Sequence, residues 1–444
     1  MLNSKYLSIL TLFLLGVCIQ SKAQKIEFTE FDLDNGLHVI LHQDNSTPIV
    51  TVSIMYDVGS KNEDPELTGF AHFFEHLMFE GTENIERGEY SKYVEKAGGT
   101  LNANTNQDRT YYYEILPSNQ LELGLWLESE RLLHAVVDSI GIATQKRVVA
   151  EEKKQRYDNS PYGDLLMNVM DLAYDKHPYR WTAIGDVVKL MDAKDQDFVD
   201  FYKTYYVPNN ACLVIAGDIN KEEATKMVND YFGDIPRGTR EMYRPTEFDA
   251  PQTAEVRDTV FGAVQLPLLL QAYHIPGDGT DDYYAIDMLN QLLSGGQSSR
   301  LYKSLVDKQQ IALEATSFNL GLQDPGLALI YALPNSGIEN KDLEDAMDAI
   351  VAEARDELIS EQEFQKLRNQ FENDIVRSNS QMETVANNLA RNYVYYNNTN
   401  LVNEKLDKYM SVSREDIQRV AKKYFTKENR VVLYYLPNSA KEVN

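Results

Sequence analysis

One pattern occurs twice in this chain, about half its length apart, and it restricts the fold more than any other feature. The first copy runs Phe201-Tyr202-Lys203-Thr204-Tyr205-Tyr206, turns through Pro208-Asn209-Asn210 and enters an apolar strand from Ala211 to Ala216. The second runs Ala421-Lys422-Lys423-Tyr424-Phe425, turns through Lys427-Glu428-Asn429 and enters a strand from Arg430 to Leu436. Asn210 and Asn429 hold matching places. Upstream, a strand ending in Met55-Tyr56 leads through a polar loop into a helix around Phe70 to Phe79. Likewise Gln271-Ala272-Tyr273 leads through Pro276-Gly277-Asp278-Gly279 into a helix from Tyr283 to Leu293. Such a chain is expected to fold as two related α+β units, each a largely antiparallel sheet with helices packed on one face. The stretch from Pro236 to Pro251, rich in Pro, Gly, Arg and Thr, reads as a linker between a unit over 24–240 and one over 241–444. Further strands are expected over 37–41, 50–55 and 110–116, and helices over 90–97, 121–133, 142–157 and 338–354.

The length of 444 residues allows two domains of this kind. Acidic residues outnumber basic ones by 68 to 43, a net charge of −25, and phosphate binding needs clustered Lys and Arg, so a nucleic-acid partner is excluded. The acidity reads as a self-repelling, soluble surface, with an acidic chamber for basic peptides as the sharper alternative. Residues 1–23 read as a signal peptide: Lys5 is the positive end, Leu7 to Ile19 the apolar run, and Ser21-Lys22-Ala23 the small-x-small site. Export to the periplasm follows. Cys18 raises the alternative of a lipoprotein, but Val17 stands where such signals carry a small residue, which argues against lipidation. Without the leader Cys212 is the sole cysteine, so no intrachain disulfide forms and stability rests on core packing.

The chemistry concentrates in His72-Phe73-Phe74-Glu75-His76. On a helix, His72, Glu75 and His76 share one face, while Phe70, Phe73, Phe74 and Leu77 form the opposite apolar stripe. Two imidazoles one turn apart can hold one Zn²⁺, and the carboxylate between them can manage the proton of an attacking water. The alternative is a merely solvated polar helix face, but two of only seven histidines within five residues argue against it. A catalytic zinc needs a third protein ligand. Glu152 is the first candidate and Glu151 the second, both in Val148-Val149-Ala150-Glu151-Glu152.

These residues, with Asp57-Val58-Gly59-Ser60, the run Gly69 to Thr82, the run Gly98 to Thr105, and Ser298-Ser299-Arg300-Leu301-Tyr302, resemble the pitrilysin/insulinase family of zinc peptidases, which carry H-x-x-E-H rather than H-E-x-x-H. The likeness extends from about Leu37 to Leu436 and is closest to short, two-domain bacterial members similar to mitochondrial processing peptidase subunits. It implies one zinc per chain held by His72, His76 and Glu152, with Glu75 as the catalytic base. It also implies that Asn102-Ala103-Asn104 form an edge strand that pairs with the backbone of a peptide substrate. From the residues alone Asn102 would read as a turn after Gly98-Gly99. Gln145 stands where the family often carries a Glu that supports the metal site.

The second half lacks the metal residues, their places falling near Ile286, Leu289 and Asn290. Active family members usually carry an Arg and a Tyr, seven residues apart, that stabilise the oxyanion; here Val306 and Leu313 hold those places. The resemblance thus implies a heterodimer in which a related subunit supplies Arg and Tyr. A homodimer using Arg300 or Tyr302 is the weaker alternative. The leading expectation is a periplasmic zinc endopeptidase acting on peptides or unfolded segments. A non-catalytic peptide-holding or assembly subunit is the second, and a membrane-attached processing factor, which requires a lipidated Cys18, the third.

Overall fold

The computed structural model describes residues 25–442; the expected signal peptide, with Cys18, lies outside the described residues. The first half contributes strands β1 (Thr29–Asp32), β2 (His38–Gln43), β3 (Ile49–Tyr56), β4 (Thr100–Thr105), β5 (Thr110–Pro117) and β6 (Ala211–Gly217). The second contributes β7 (Val256–Gly262), β8 (Leu268–Ile275), β9 (Ala312–Leu320), β10 (Gly326–Pro334) and β11 (Arg430–Pro437). Their spatial orders are β1-β2-β6-β3-β5-β4 and β7-β11-β8-β10-β9. Apart from β1, the two orders are the same. In each sheet one parallel pair, β2 with β6 and β7 with β11, accompanies otherwise antiparallel neighbours.

The duplication reaches individual side chains. Asn210 Nδ2 donates to the carbonyls of Tyr205 (2.8 Å) and Asp57 (3.3 Å). Asn429 Nδ2 donates to those of Tyr424 (2.7 Å) and His274 (2.8 Å). In both halves one amide ties the end of a helix, the loop after it and the neighbouring strand together, which explains why this residue recurs in the pattern.

The helices behave as expected on one face of each sheet, and the other face is covered by an exchange between the halves. Helix Met382–Tyr396 lays Val385, Ala386, Leu389 and Ala390 on Ile40, Met55, Tyr111, Cys212 and Val214 of the first sheet. Helix Leu165–Ala173 lays Val169 and Met170 on Leu270, Leu329 and Leu433 of the second. Central strands are therefore covered on both faces, which is why β6 reads as an unbroken apolar run rather than an alternating one, and why even Thr51 and Ser53 of β3 are fully buried. Cys212 is a buried free thiol in this layer. The segment 236–255 is neither helix nor strand.

A buried polar knot also joins the halves. Lys61 Nζ lies between Asp108 Oδ1 (2.8 Å) and Asp324 Oδ2 (3.2 Å), and Asp108 Oδ2 accepts the Gln323 amide (3.0 Å). It fixes the β4–β5 turn, next to the site below, to the β9–β10 turn of the second half.

Several helix boundaries differ by a few residues from the pattern reading: the helices expected over 70–79 and 283–293 run Phe70–Leu77 and Asp281–Ser294. The helix expected over 142–157 begins at Ser139, because the Asp138 side chain caps it by accepting the Gly141 amide (2.7 Å). Its far end widens into a turn over Lys154–Asp158. The helix expected over 338–354 runs Asn340–Asp356. The expected correspondence of the second-half helix also needs correction. Ile286 and Leu289 lie within the second core, whereas the motif residues face away from theirs; of helix Asp281–Ser294, Asp287 is only half-buried and accepts the Tyr409 hydroxyl (2.6 Å). Among the described residues no helix is long and apolar enough to cross a membrane.

Candidate metal centre

The H-x-x-E-H motif lies on helix Phe70–Leu77, and its apolar stripe fixes its orientation. Phe70, Phe73, Phe74 and Leu77 are all buried. Phe198 stacks on Phe70 and tilts against Phe73, both at 4.5 Å between centroids, and the Tyr112 hydroxyl donates to the Phe74 carbonyl (3.0 Å). The start of the helix has no cap from its own N-cap residue, Gly69, which sits at φ +94°, a left-handed conformation that glycine takes without strain. Glu63 acts from a distance instead: its buried carboxylate accepts the amides of Gly69 (2.9 Å) and Ala71 (2.8 Å). Glu63→Ala would strand these amides. A loss of about 1–3 kcal/mol in stability is expected, to be measured as a lowered urea midpoint.

With the stripe pinned, His72 and His76 turn their Nε2 atoms toward each other at 3.3 Å. Glu152, at the end of helix Ser139–Lys153, brings Oε2 to 3.1 Å from His76 Nε2 and 3.6 Å from His72 Nε2. These three are the one group of potential ligands that converges among the described residues. Donors 2.0–2.1 Å from a tetrahedral zinc stand about 3.3–3.4 Å apart, and the three separations straddle that value. Burial, with the neighbouring His76, pushes the His72 imidazole down to about 4, so at neutral pH it offers a bare lone pair. The hydrogen bond to His76 holds the Glu152 carboxyl below its ordinary value in spite of its burial. Two nitrogen lone pairs and a carboxylate facing one point call for a cation, and the donor set suits zinc. Glu151 lies outside the cluster.

Glu75 is half-buried, beside the triangle and not part of it. Burial raises its carboxyl, while the Thr105 hydroxyl and the charges of His76 and Arg109 act the other way. Thr105 ends β4, the outermost strand of the first sheet, which pairs only with β5. Asn102, Ala103 and Asn104 are therefore strand residues on an open edge beside Glu75, not a turn. Asn102 and Asn104 are exposed and Ala103 half-buried. Arg109 Nη1 donates to the Asn104 carbonyl (2.8 Å), stiffening the end of that edge.

Gln145 does not reach the ligands: its Nε2 donates to Glu80 Oε1 (2.5 Å), and the buried His72 Nδ1 has no partner. Sequence reasoning missed Arg156, whose Nη1 is 2.8 Å from Glu152 Oε1. Its i,i+4 spacing from Glu152 was the available signal. Glu63 and Arg109 carried no periodic signal. In the second half Val306 packs against the core and Leu313 is exposed on β9. Arg300 is held by Glu353 (3.3 Å) and Glu363 (3.2 Å) and is little exposed.

Comparison with known proteins places this architecture in a class of two-domain metallopeptidase relatives. Residues 38–186 match the model for "Insulinase (Peptidase family M16)", and residues 192–371 match that for "Peptidase M16 inactive domain". The zinc protease PqqE of Helicobacter pylori is 30% identical over 438 residues, covering 97% of this chain and 98% of that protein. A probable mitochondrial-processing peptidase subunit beta of Arabidopsis thaliana is 24% identical, covering 88% of this chain and 75% of that protein. The crystal structure of a protease from Helicobacter pylori superimposes with a TM-score of 0.88 at 29% identity, covering 93% of this chain and all of that one. The chain belongs to the insulinase family, peptidase family M16.

Proposed function

We propose that this chain is a zinc endopeptidase that cuts peptides or unfolded segments in the periplasm, as the zinc-bearing subunit of a dimer. The convergence of His72 Nε2, His76 Nε2 and Glu152 Oε2 carries the reading. Zinc bound there would polarise the scissile carbonyl and bring the pKa of a water toward neutrality. Glu75 takes the proton of the attacking water and returns it to the leaving amine, standing beside the ligand triangle without belonging to it. The free edge of β4 at Asn102-Ala103-Asn104 holds the substrate as an added strand, so affinity comes from backbone hydrogen bonds and selectivity is broad. The knot at Lys61 keeps the neighbouring turn in place while the peptide is held. The N-terminal leader motif supports export. Zinc content of the purified chain, with chelator-sensitive cleavage of a fluorogenic peptide library, tests the proposal; a metal-free chain, or cleavage indifferent to chelation, contradicts it.

One observation favours a second reading, a peptide-holding subunit without activity: Val306 and Leu313 cannot donate hydrogen bonds to an oxyanion. Losing one such donor typically costs about 2.7–4 kcal/mol of transition-state stabilisation. A related subunit carrying Arg and Tyr restores the donors, and the engagement of Arg300 by Glu353 and Glu363 disfavours its use in a homodimer. The isolated chain is expected to be at least roughly 100-fold less active than its mixture with that subunit, by the cost of a missing donor. Full activity alone, unchanged on mixing, would reject the heterodimer.

A further inference from the structure

Glu152 has two carboxylate oxygens, and they face different partners. Oε2 points to the two imidazoles, whereas Oε1 is 2.8 Å from Arg156 Nη1. Arg156 lies four residues on, in the wide turn Lys154–Asp158, so the backbone itself brings the guanidinium back over the carboxylate. No other charged partner touches a ligand of the cluster among the described residues. Gln145 is engaged by Glu80, and His72 Nδ1 is buried without a partner. Ligating groups are ordinarily oriented by hydrogen bonds behind them, and here that support falls to one residue.

We infer that Arg156 is a positioning residue that makes Glu152 a one-oxygen ligand, presenting Oε2 and withholding Oε1. This rests on the metal reading above. A carboxylate free to offer both oxygens to a small cation would fill the position that water and substrate need. A guanidinium bonded to Oε1 prevents that, and it also fixes the rotation of the carboxylate plane. The sign of the effect separates this role from simple charge. Arg156 is a cation close to a cation site, so by Coulomb repulsion alone its removal would tighten metal binding. By positioning, its removal weakens it.

The test compares the wild-type chain with Arg156→Ala and Arg156→Gln, each loaded with zinc and, separately, with cobalt. Arg156 is 75% exposed, so both variants should fold, which circular dichroism checks. Zinc affinity, measured by competition with a chromophoric chelator, is expected to fall roughly tenfold in Arg156→Ala, the low end for loss of an outer partner. The visible absorption of the cobalt form should weaken, as it does when a four-coordinate site gains a fifth ligand. Arg156→Gln, a neutral donor with i,i−4 reach, should recover part of both. Unchanged or tighter zinc binding in Arg156→Ala, or an unchanged cobalt spectrum, would overturn the positioning role. Failure of the wild-type chain to bind either metal would instead overturn the metal reading itself.

Discussion

Glu75→Gln is expected to keep one zinc per chain and lose about 10²–10⁴-fold in turnover, the usual contribution of a positioned proton-transfer group. The two effects separate because Glu75 lies outside the ligand triangle of His72, His76 and Glu152. Gln keeps the size and one acceptor oxygen but cannot take the proton, so substrate should still bind along β4. The helix should be undisturbed, since it is anchored by Phe70, Phe73, Phe74 and Leu77 on its other face. Zinc analysis and steady-state kinetics on one preparation check both parts. Retention of most activity would remove Glu75 as the base.

Glu152→Ala is expected to abolish high-affinity metal binding, while Glu151→Ala leaves it close to wild type. Glu152 supplies one of three converging donors and Glu151 none. Loss of an outer partner alone costs roughly 10–100-fold in affinity, so loss of a ligand should exceed that range. The adjacent pair makes an internal control: both substitutions remove one negative charge from the same helix end, and only one removes a ligand atom. Metal titration giving the reverse order would move the third ligand to Glu151.

The duplicated pattern, the motif helix and the paired helix of Glu152 were legible because each is written locally. The spacing of His72, Glu75 and His76 on one face needs only helical periodicity, and Asn210 and Asn429 recur because each closes the same loop. Other features depend on contacts between residues far apart in sequence. Nothing in Leu165–Ala173 says that it covers the sheet of the other half. Nothing in Glu63 says that its carboxylate caps a helix beginning seven residues later. The choice of Glu152 over Glu151 came from family resemblance, because two adjacent carboxylates near a helix end differ only in which one faces the imidazoles. Nothing local tells which face of helix Asp281–Ser294 is buried, because the contacts that put Ile286 and Leu289 in the core come from strands and helices far along the chain.

The most direct test is a crystal of zinc-loaded Glu75→Gln grown with an extended peptide, with data collected on both sides of the zinc absorption edge. The expected result is one anomalous peak per chain among His72 Nε2, His76 Nε2 and Glu152 Oε2, with the peptide backbone paired to Asn102-Ala103-Asn104. An absent peak, a peak ligated by Glu151, or a peptide bound away from β4 would contradict it.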